Sequence, residues 1–385
     1  MKHTIFLSLF FALLLSSCNV KESQPSSASH KENIPKKEPL RGVWVTNVDS
    51  KVLYSKEKIE EAVALCEELG INTIFMVTWN KAQTMYRSQV MKDFTGVEID
   101  PELDPENTGR DPLQEMIEAA HQRGIKVYAW FEFGFSSSYN ANGGILLEKK
   151  PHWASLNNEG KLVKKNGFEW MNALDPEVQD FMTSLVLEVV NKYEVDGIQG
   201  DDRLPAMPSQ GGYNPGVIEA YKKEHFGQEP PQYYKDFEWV NWRAERLNNF
   251  MASLYQKVKK ADPNCVVSMA PSVYPWSKEE YLQDWPTWLN HGYVDLLIPQ
   301  VYRYDIDFYQ QTLEACASYP IQAKKDKLYP GMLIKAGSKM PTEAFFEQML
   351  QANRAAGFEG EVYFFYEGLH RYKEIIKKYY SEKNI

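Results

Sequence analysis

The sequence predicts an α/β protein, a (β/α)8 TIM barrel with long loops on the C-terminal face of its strands. Three observations point there. Eight short apolar runs alternate with helix-like stretches along the 385 residues. The runs are nearly continuous in β-branched, aromatic and aliphatic residues, as parallel strands covered on both faces are. The connections are unequal. Helix-to-strand links are short, whereas the strand-to-helix links at 80–110, 133–175 and 203–238 are long. Long loops gathered on one side mark the face where barrel enzymes work. A doubly wound open sheet would more often put a glycine-rich phosphate turn after its first strand. Asn47-Val48-Asp49-Ser50 stands there instead.

Taken in order, strand one is expected at 41–47 (RGVWVTN), and Ser55 caps a helix over 56–69 that Gly70 ends. Strand two follows at 71–79. Asp111-Pro112, a cap with proline in the first turn, opens a helix over 111–123, and Gly124 closes it before strand three at 125–132. Asp175-Pro176 repeats that signal for a helix over 176–193, ahead of strand four at 196–201. A helix over 239–262 leads to strand five at 265–270. A helix over 279–291, ended by Gly292, leads to strand six at 294–300. The last units are a helix over 307–318, strand seven at 328–334, a helix over 342–356 ended by Gly357, strand eight at 361–367, and a helix near 370–381.

The N-terminal residues read as targeting rather than fold. Lys2 and His3 precede an apolar run from Thr4 to Leu15, too short to span a bilayer and suited to a secretory signal over 1–17. The ending Leu15-Ser16-Ser17-Cys18 resembles a bacterial lipobox, which implies cleavage before Cys18 and lipid attachment to it. Residues 18–39 then form a lipidated cysteine and a flexible tether, because the Lys-, Glu-, Ser- and Pro-rich stretch cannot bury enough surface to offset its chain entropy. Residues 40–385 form the barrel. The expected location is the cell envelope, with lipid as the only membrane contact. A net charge of −9 argues against a nucleic-acid partner. Cys66, Cys265 and Cys316 are odd in number, widely spaced and flanked by apolar residues, so buried thiols are expected rather than disulfides.

The fourth run, Val195-Asp196-Gly197-Ile198-Gln199-Gly200-Asp201-Asp202-Arg203, ends in adjacent carboxylates where barrel enzymes keep their chemistry. Strand parity puts Gln199 and Asp201 inside the barrel, with Tyr128, Trp130 and Glu132 of strand three. It also puts Gln300 and Tyr302 on the interior side. Carboxylates converging among aromatics suggest glycoside hydrolysis, which needs one protonated acid for the leaving oxygen and one ionised carboxylate as nucleophile or base. Crowded carboxylates push each other's pKa values apart.

Asp201, Asp202 and Glu132 are therefore the candidate catalytic residues. Trp44, Asn47, Trp79, Asn80, Trp130, Arg203, Gln300, Tyr302, Tyr366 and Glu367 are candidates for holding the sugar. Each has a plainer reading: the Asp pair as turn caps, Glu132 as partner of Arg203 or Arg303, and the aromatics as packing. His121 is expected in a helix-end role, and His152 lies in the long third loop. No His-x-His or His-Glu-x-x-His spacing marks a metal site and no Gly-x-Ser-x-Gly elbow is present, so no cofactor is expected.

Short segments spread through the body also resemble the bacterial glycosylhydrolase-like family 10. They are Arg41-Gly42-Val43-Trp44-Val45-Thr46, Asp111-Pro112-Leu113, Ala120-His121-Gln122-Arg123-Gly124-Ile125 and Ala129-Trp130-Phe131. Asn172-Ala173-Leu174-Asp175-Pro176, Asp196-Gly197-Ile198 with Asp201-Asp202, and Ile298-Pro299-Gln300-Val301-Tyr302 complete the set. The resemblance implies a TIM barrel, often a lipoprotein, acting on glycans such as peptidoglycan strands, with paired aspartates after strand four. The chain departs from it at Glu132, where many relatives have Asn, and at Val77-Thr78-Trp79-Asn80, where an Arg-rich pattern is common. The rival expectation is a glycan-binding lipoprotein that keeps the barrel without cutting.

Overall fold

In the computed structural model, residues 38–318 and 327–381 are described. The expected signal, Cys18 and most of the tether lie outside them. Eight parallel strands make the barrel: β1 (Arg41–Val45), β2 (Thr73–Val77), β3 (Lys126–Phe131), β4 (Gly197–Gly200), β5 (Val266–Met269), β6 (Leu296–Leu297 with Gln300–Val301), β7 (Gly331–Leu333) and β8 (Glu361–Phe364). Each is followed by a helix of the outer layer: α1 (Lys56–Glu68), α2 (Pro112–His121), α3 (Pro176–Lys192), α4 (Phe237–Ala261), α5 (Trp285–His291), α6 (Ile306–Ser318), α7 (Glu343–Ala355) and α8 (Leu369–Ser381). The helix starts follow the sequence signals. The side chains of Ser55, Asp111 and Asp175 accept from Lys58, Gln114 and Glu177 backbone N–H groups.

β6 closes the ring. Its first half pairs with β5 (Ser268 with Leu296) and its second half with β7 (Gln300 with Gly331). Pro299 stands between the halves, where it cannot donate a ladder hydrogen bond. Its carbonyl still accepts from Gly331 N at 2.9 Å.

The barrel interior is filled by rings matched to glycines. Trp44 packs 5.8 Å from Phe75 and 6.3 Å from Trp130, ring centre to ring centre. Its Nε1 donates to Gln199 Oε1 at 2.6 Å, and Gln199 donates to Ser268 at 3.0 Å. A Cβ on Gly42 would lie 2.8 Å from Phe75, on Gly197 2.9 Å from Tyr128, and on Gly331 3.0 Å from Trp44. Interdigitation of this kind, at near-crystalline density, is what a packed barrel requires. The alternation expected from sequence holds: Gln199 and Trp130 face the interior, and Ile198 and Ala129 lie fully buried in the hydrophobic core.

Two elements differ from expectation. The helix expected over 279–291 is two pieces, Trp276–Tyr281 and α5. Leu282 adopts a left-handed conformation at φ 60° between them, and Pro286 can only start a helix, not continue one. The long loops also carry structure of their own. There is a hairpin at Trp79–Asn80 and Gln83–Thr84, and an antiparallel sheet of Ser136–Tyr139, Phe168–Trp170 and Lys164–Lys165. Helices span Gln89–Thr95 and Pro215–Glu224. Cys66, Cys265 and Cys316 are free and buried. Among the described residues, no helix is long and apolar enough to cross a membrane.

A methyl group on Gly197 would also lie 2.6 Å from the carbonyl oxygen of Val266, a backbone atom that cannot step aside. Gly197→Ala should therefore cost about 1–3 kcal/mol, read as a lowered midpoint in thermal or urea unfolding.

Candidate active site

The site is built around one guanidinium. Arg203 lies three residues past the end of β4, in a turn. Its backbone carbonyl accepts from Phe135 N at 2.9 Å, and its Nε donates to the Glu132 carbonyl at 2.9 Å. That close approach of two loops requires Gly134: any Cβ there would sit 2.1 Å from the Arg203 carbonyl oxygen, and the residue has φ +49°. The guanidinium carbon lies 4.7 Å over the Phe168 ring, so the loop sheet acts as a floor for the charge.

Three carboxylates meet this cation. Nη2 lies 3.1 Å from Asp201 Oδ2 and 3.5 Å from Glu132 Oε1, and Nη1 lies 2.9 Å from Asp202 Oδ1. The Asp202 contact is ionic only, since its geometry makes no hydrogen bond and Oδ1 has no hydrogen-bond donor among the described residues. The three expected catalytic residues are thus brought together at the strand ends, Asp201 buried and the other two partly exposed. Side-chain exposure is 4% for Asp201, 16% for Glu132 and 27% for Asp202.

Their surroundings differ. Asp201 receives three donors: its Oδ1 accepts from Asp202 N at 2.7 Å and Gln300 Nε2 at 2.5 Å, and Arg203 serves Oδ2. The Asp201 backbone carbonyl accepts from Gln283 Nε2 at 2.9 Å. Glu132 receives one hydrogen bond, from Asn80 Nδ2 at 2.9 Å, and the same Nδ2 also reaches Asn47 Oδ1 at 3.0 Å. Burial pushes the carboxyls of Asp201 and Glu132 above the usual range. The negative charge of Asp202 adds to this, and Arg203 opposes it. Burial works against the Arg203 charge, yet Asp202, Asp201 and Glu132 together hold its pKa above the ordinary value. Asn80 Oδ1 is a buried acceptor with no donor among the described residues, an unmet demand beside Glu132 that a ligand hydroxyl could satisfy.

The other expected sugar contacts divide. Asn47, Asn80, Arg203 and Gln300 join the cluster as described. Tyr302 stays partly exposed, 5.4 Å from the Phe364 ring, close enough for Asp201 and Asp202 to add to burial in raising its phenol pKa. Trp44 and Trp130 lie in the barrel interior beneath the acids, buried as packing. Trp79 points away from the mouth, with its Nε1 on the Gly134 carbonyl at 3.1 Å and its ring 5.9 Å from Phe181 of α3. Tyr366 is buried beside Cys66 of α1, and Glu367 accepts from Ser50 Oγ at 2.7 Å, tying the first loop to the end of β8. These placements correct the expectation of an aromatic-lined mouth at those positions. Near a strand end, parity no longer says which way a ring turns. His121 and His152 pair with Asp196 and Glu177 at 2.9 and 2.6 Å, away from the acids.

Sequence reasoning missed Gly134, Phe168 and Gln283, whose roles arise from loop-to-loop contact. It also missed Arg243. That side chain is fully buried, lies over Trp239, and donates to the carbonyls of Ser209, Gly211, Tyr234 and Trp239. It faces carbonyls in place of carboxylates, and burial lowers its pKa to about 9. It clamps the fourth loop onto α4.

Residues 39–342 match the family described as glycosyl hydrolase-like 10, and the chain belongs to that family. It is 26% identical over 358 residues to the glycosyl hydrolase DigH of Escherichia coli strain K12, covering 78% of this chain and 77% of that protein. It is 24% identical over 298 residues to the glycosyl hydrolase YngK of Bacillus subtilis, covering 68% of this chain and 54% of that one. In fold it is similar to the glycoside hydrolase domain of PgaB (BpsB) from Bordetella bronchiseptica. The TM-score is 0.65 at 13% identity, covering 88% of this chain and 98% of that domain. α-L-Fucosidase isoenzyme 2 from Paenibacillus thiaminolyticus gives 0.64 at 17% identity, covering 90% of this chain and 49% of that protein. The fold is that of TIM-barrel glycoside hydrolases.

A carboxyl group whose pKa is raised by folding stabilises the fold fully below its unfolded pKa and loses that contribution as pH rises through the folded one. Glu132 is such a group. Glu132→Gln keeps an acceptor for Asn80 without the charge. Its midpoint of thermal unfolding should exceed that of the wild type by a margin that widens from about pH 4 to pH 8. A margin constant with pH would show that burial does not control this carboxyl.

Proposed function

We propose that the protein is a glycoside hydrolase in which Asp201 is the ionised carboxylate and Glu132 the general acid. The observation that carries this reading is the unequal donor count around two buried carboxyls that touch one Arg203 nitrogen. Three donors, Asp202 N, Gln300 Nε2 and Arg203 Nη2, favour the charged form of Asp201 against the burial and neighbouring acids that push its carboxyl up. Glu132 has one donor against three for Asp201, so the proton that burial and crowding retain in the cluster is assigned to Glu132. Glu132 would give that proton to the leaving glycosidic oxygen, and Asp201 would attack the anomeric carbon or activate the attacking water. Asp202, the most exposed of the three, keeps Arg203 charged and faces the sugar. Family membership and the glycoside hydrolase neighbours support the same reaction class.

The substrate class is a cell-envelope glycan, peptidoglycan strands foremost. The name glycosyl hydrolase borne by DigH and YngK supports glycans in general. The lipobox-like ending at Cys18 supports a lipid-anchored enzyme of the envelope.

The test separates the two roles. Asp201→Asn should lower kcat by about 10³-fold or more on every glycoside that the wild type cleaves. Glu132→Gln should lose as much on natural glycans but far less on aryl glycosides with good leaving groups, which need no proton. Both are read from reducing-end or chromophore release by folded protein. Full activity in Asp201→Asn sinks the mechanism. Wild-type binding of glycans without any cleavage favours the non-hydrolytic alternative.

A further inference from the structure

We propose that a glycan chain held at the carboxylates continues onto a second, aromatic subsite formed by Tyr233, Phe237, Tyr274 and Trp276. The natural substrate is then a polysaccharide long enough to occupy both. This rests on the glycan reading above and specifies its length.

A groove of about 370 Å³ is lined by Tyr233, Phe237 and Tyr274 with Lys235 and Lys278. Tyr233 is 64% exposed, Phe237 84% and Trp276, next to Tyr274-Pro275, 46%. Single exposed rings are ordinary, but several gathered along one groove mark a binding surface.

The platform is also built rather than loose. Phe237 is the first residue of α4, where the Asp236 side chain accepts from Glu238 N and Trp239 N. Nearly two turns on, Arg243 holds the Tyr234 carbonyl. Lys235 and Lys165 both clasp Glu280, and Lys278 meets Asp284 at 3.0 Å. The rings are thus displayed on a fixed backbone, which lowers the ordering cost of binding.

The shelf is tied to the acids through a shared scaffold. Trp276 begins the short helix Trp276–Tyr281, and its ring is 5.4 Å from Tyr281. The backbone carbonyls of Tyr281 and Glu280 accept from Met207 N and Ser209 N of the acid loop. Ser277 Oγ donates at 3.0 Å to the carbonyl of Gln283, whose own amide holds the Asp201 carbonyl. An occupant of the groove therefore sits on the scaffold that fixes Asp201.

The chemistry selects a sugar chain. Pyranose rings present apolar C–H faces to aromatics and hydroxyls to groups such as Asn241, Glu279 and Lys278, which rim the same groove. The lysines are already paired with acids, so no excess positive charge draws a polyanion.

The experiment compares the full chain with a Phe237→Ala/Trp276→Ala double variant and, as a milder second variant, Tyr233→Ala. The probes are purified glycan strands and their di- and trisaccharide fragments, with unfolding midpoints measured alongside. The expected result is a rise of about five- to tenfold in KM for long strands, the scale of one or two ring contacts. KM for the fragments should move less than about twofold, and the dissociation constant of long strands for Asp201→Asn protein carrying the double change should rise in parallel. Unchanged long-strand kinetics in both variants overturn the subsite. So does an equal loss on fragments, or a change in self-association on sedimentation that marks the shelf as a contact between copies. Failure of the wild type to bind or cut glycan of any length would sink the glycan reading itself. Cleavage indifferent to chain length sinks only the shelf.

Discussion

The arrangement depends on one buried cation. Without Arg203, Asp201, Asp202 and Glu132 would be three acids forced into a poorly hydrated mouth, and mutual repulsion would protonate or separate them. With it, the three carboxyls stay within reach of one cation and of one another. The cation is itself held by backbone rather than by side-chain contacts alone. Its Nε lies on the Glu132 carbonyl, and its own carbonyl lies on Phe135 N beside Gly134. Loop three and loop four are thereby locked together at the point where charge is concentrated. The groups around the carboxyls are thus fixed in place by the backbone.

The barrel and its loops divide the labour. Inside, Trp44, Phe75, Tyr128 and Trp130 fill the volume that Gly42, Gly197 and Gly331 leave open, and Gln199 satisfies the Trp44 indole. That layer is a floor under the acids rather than a sugar platform. Tyr233, Phe237 and Trp276, all exposed, lie farther out, on the segments after β4 and β5. Arg243, buried against four carbonyls, holds that outer region in place.

Much of the fold was legible because it follows from short-range rules. Eight apolar runs, glycine-ended helices and Ser or Asp caps with proline in the first turn all act locally, and all eight strands lie where those signals placed them. The misses share a cause. Pro286 and the left-handed Leu282 split a helix that apolar periodicity alone ran together. The small sheet of loop three has strands of two to four residues whose partners are distant in sequence. Period-two counting placed Gln199, Asp201, Glu132 and Gln300 correctly. Trp79 and Tyr366, singled out only for lying near strand ends, turn instead into packing against Phe181 and beside Cys66.

By itself the sequence determined the order of elements, the inward faces of strands three, four and six and the position of acids at the end of β4 and β3, because periodicity and capping are properties of neighbouring residues. It also carried the family resemblance, through short motifs in fixed order. Only the tertiary structure decided that Arg203 stands between three carboxylates, that Asn80 serves Glu132 while Gln300 serves Asp201, and which aromatics are packing and which meet solvent. Those outcomes depend on contacts between residues as far apart as Asp201 and Gln300 or Glu132 and Arg203. No local pattern encodes how distant loops meet once the barrel has closed.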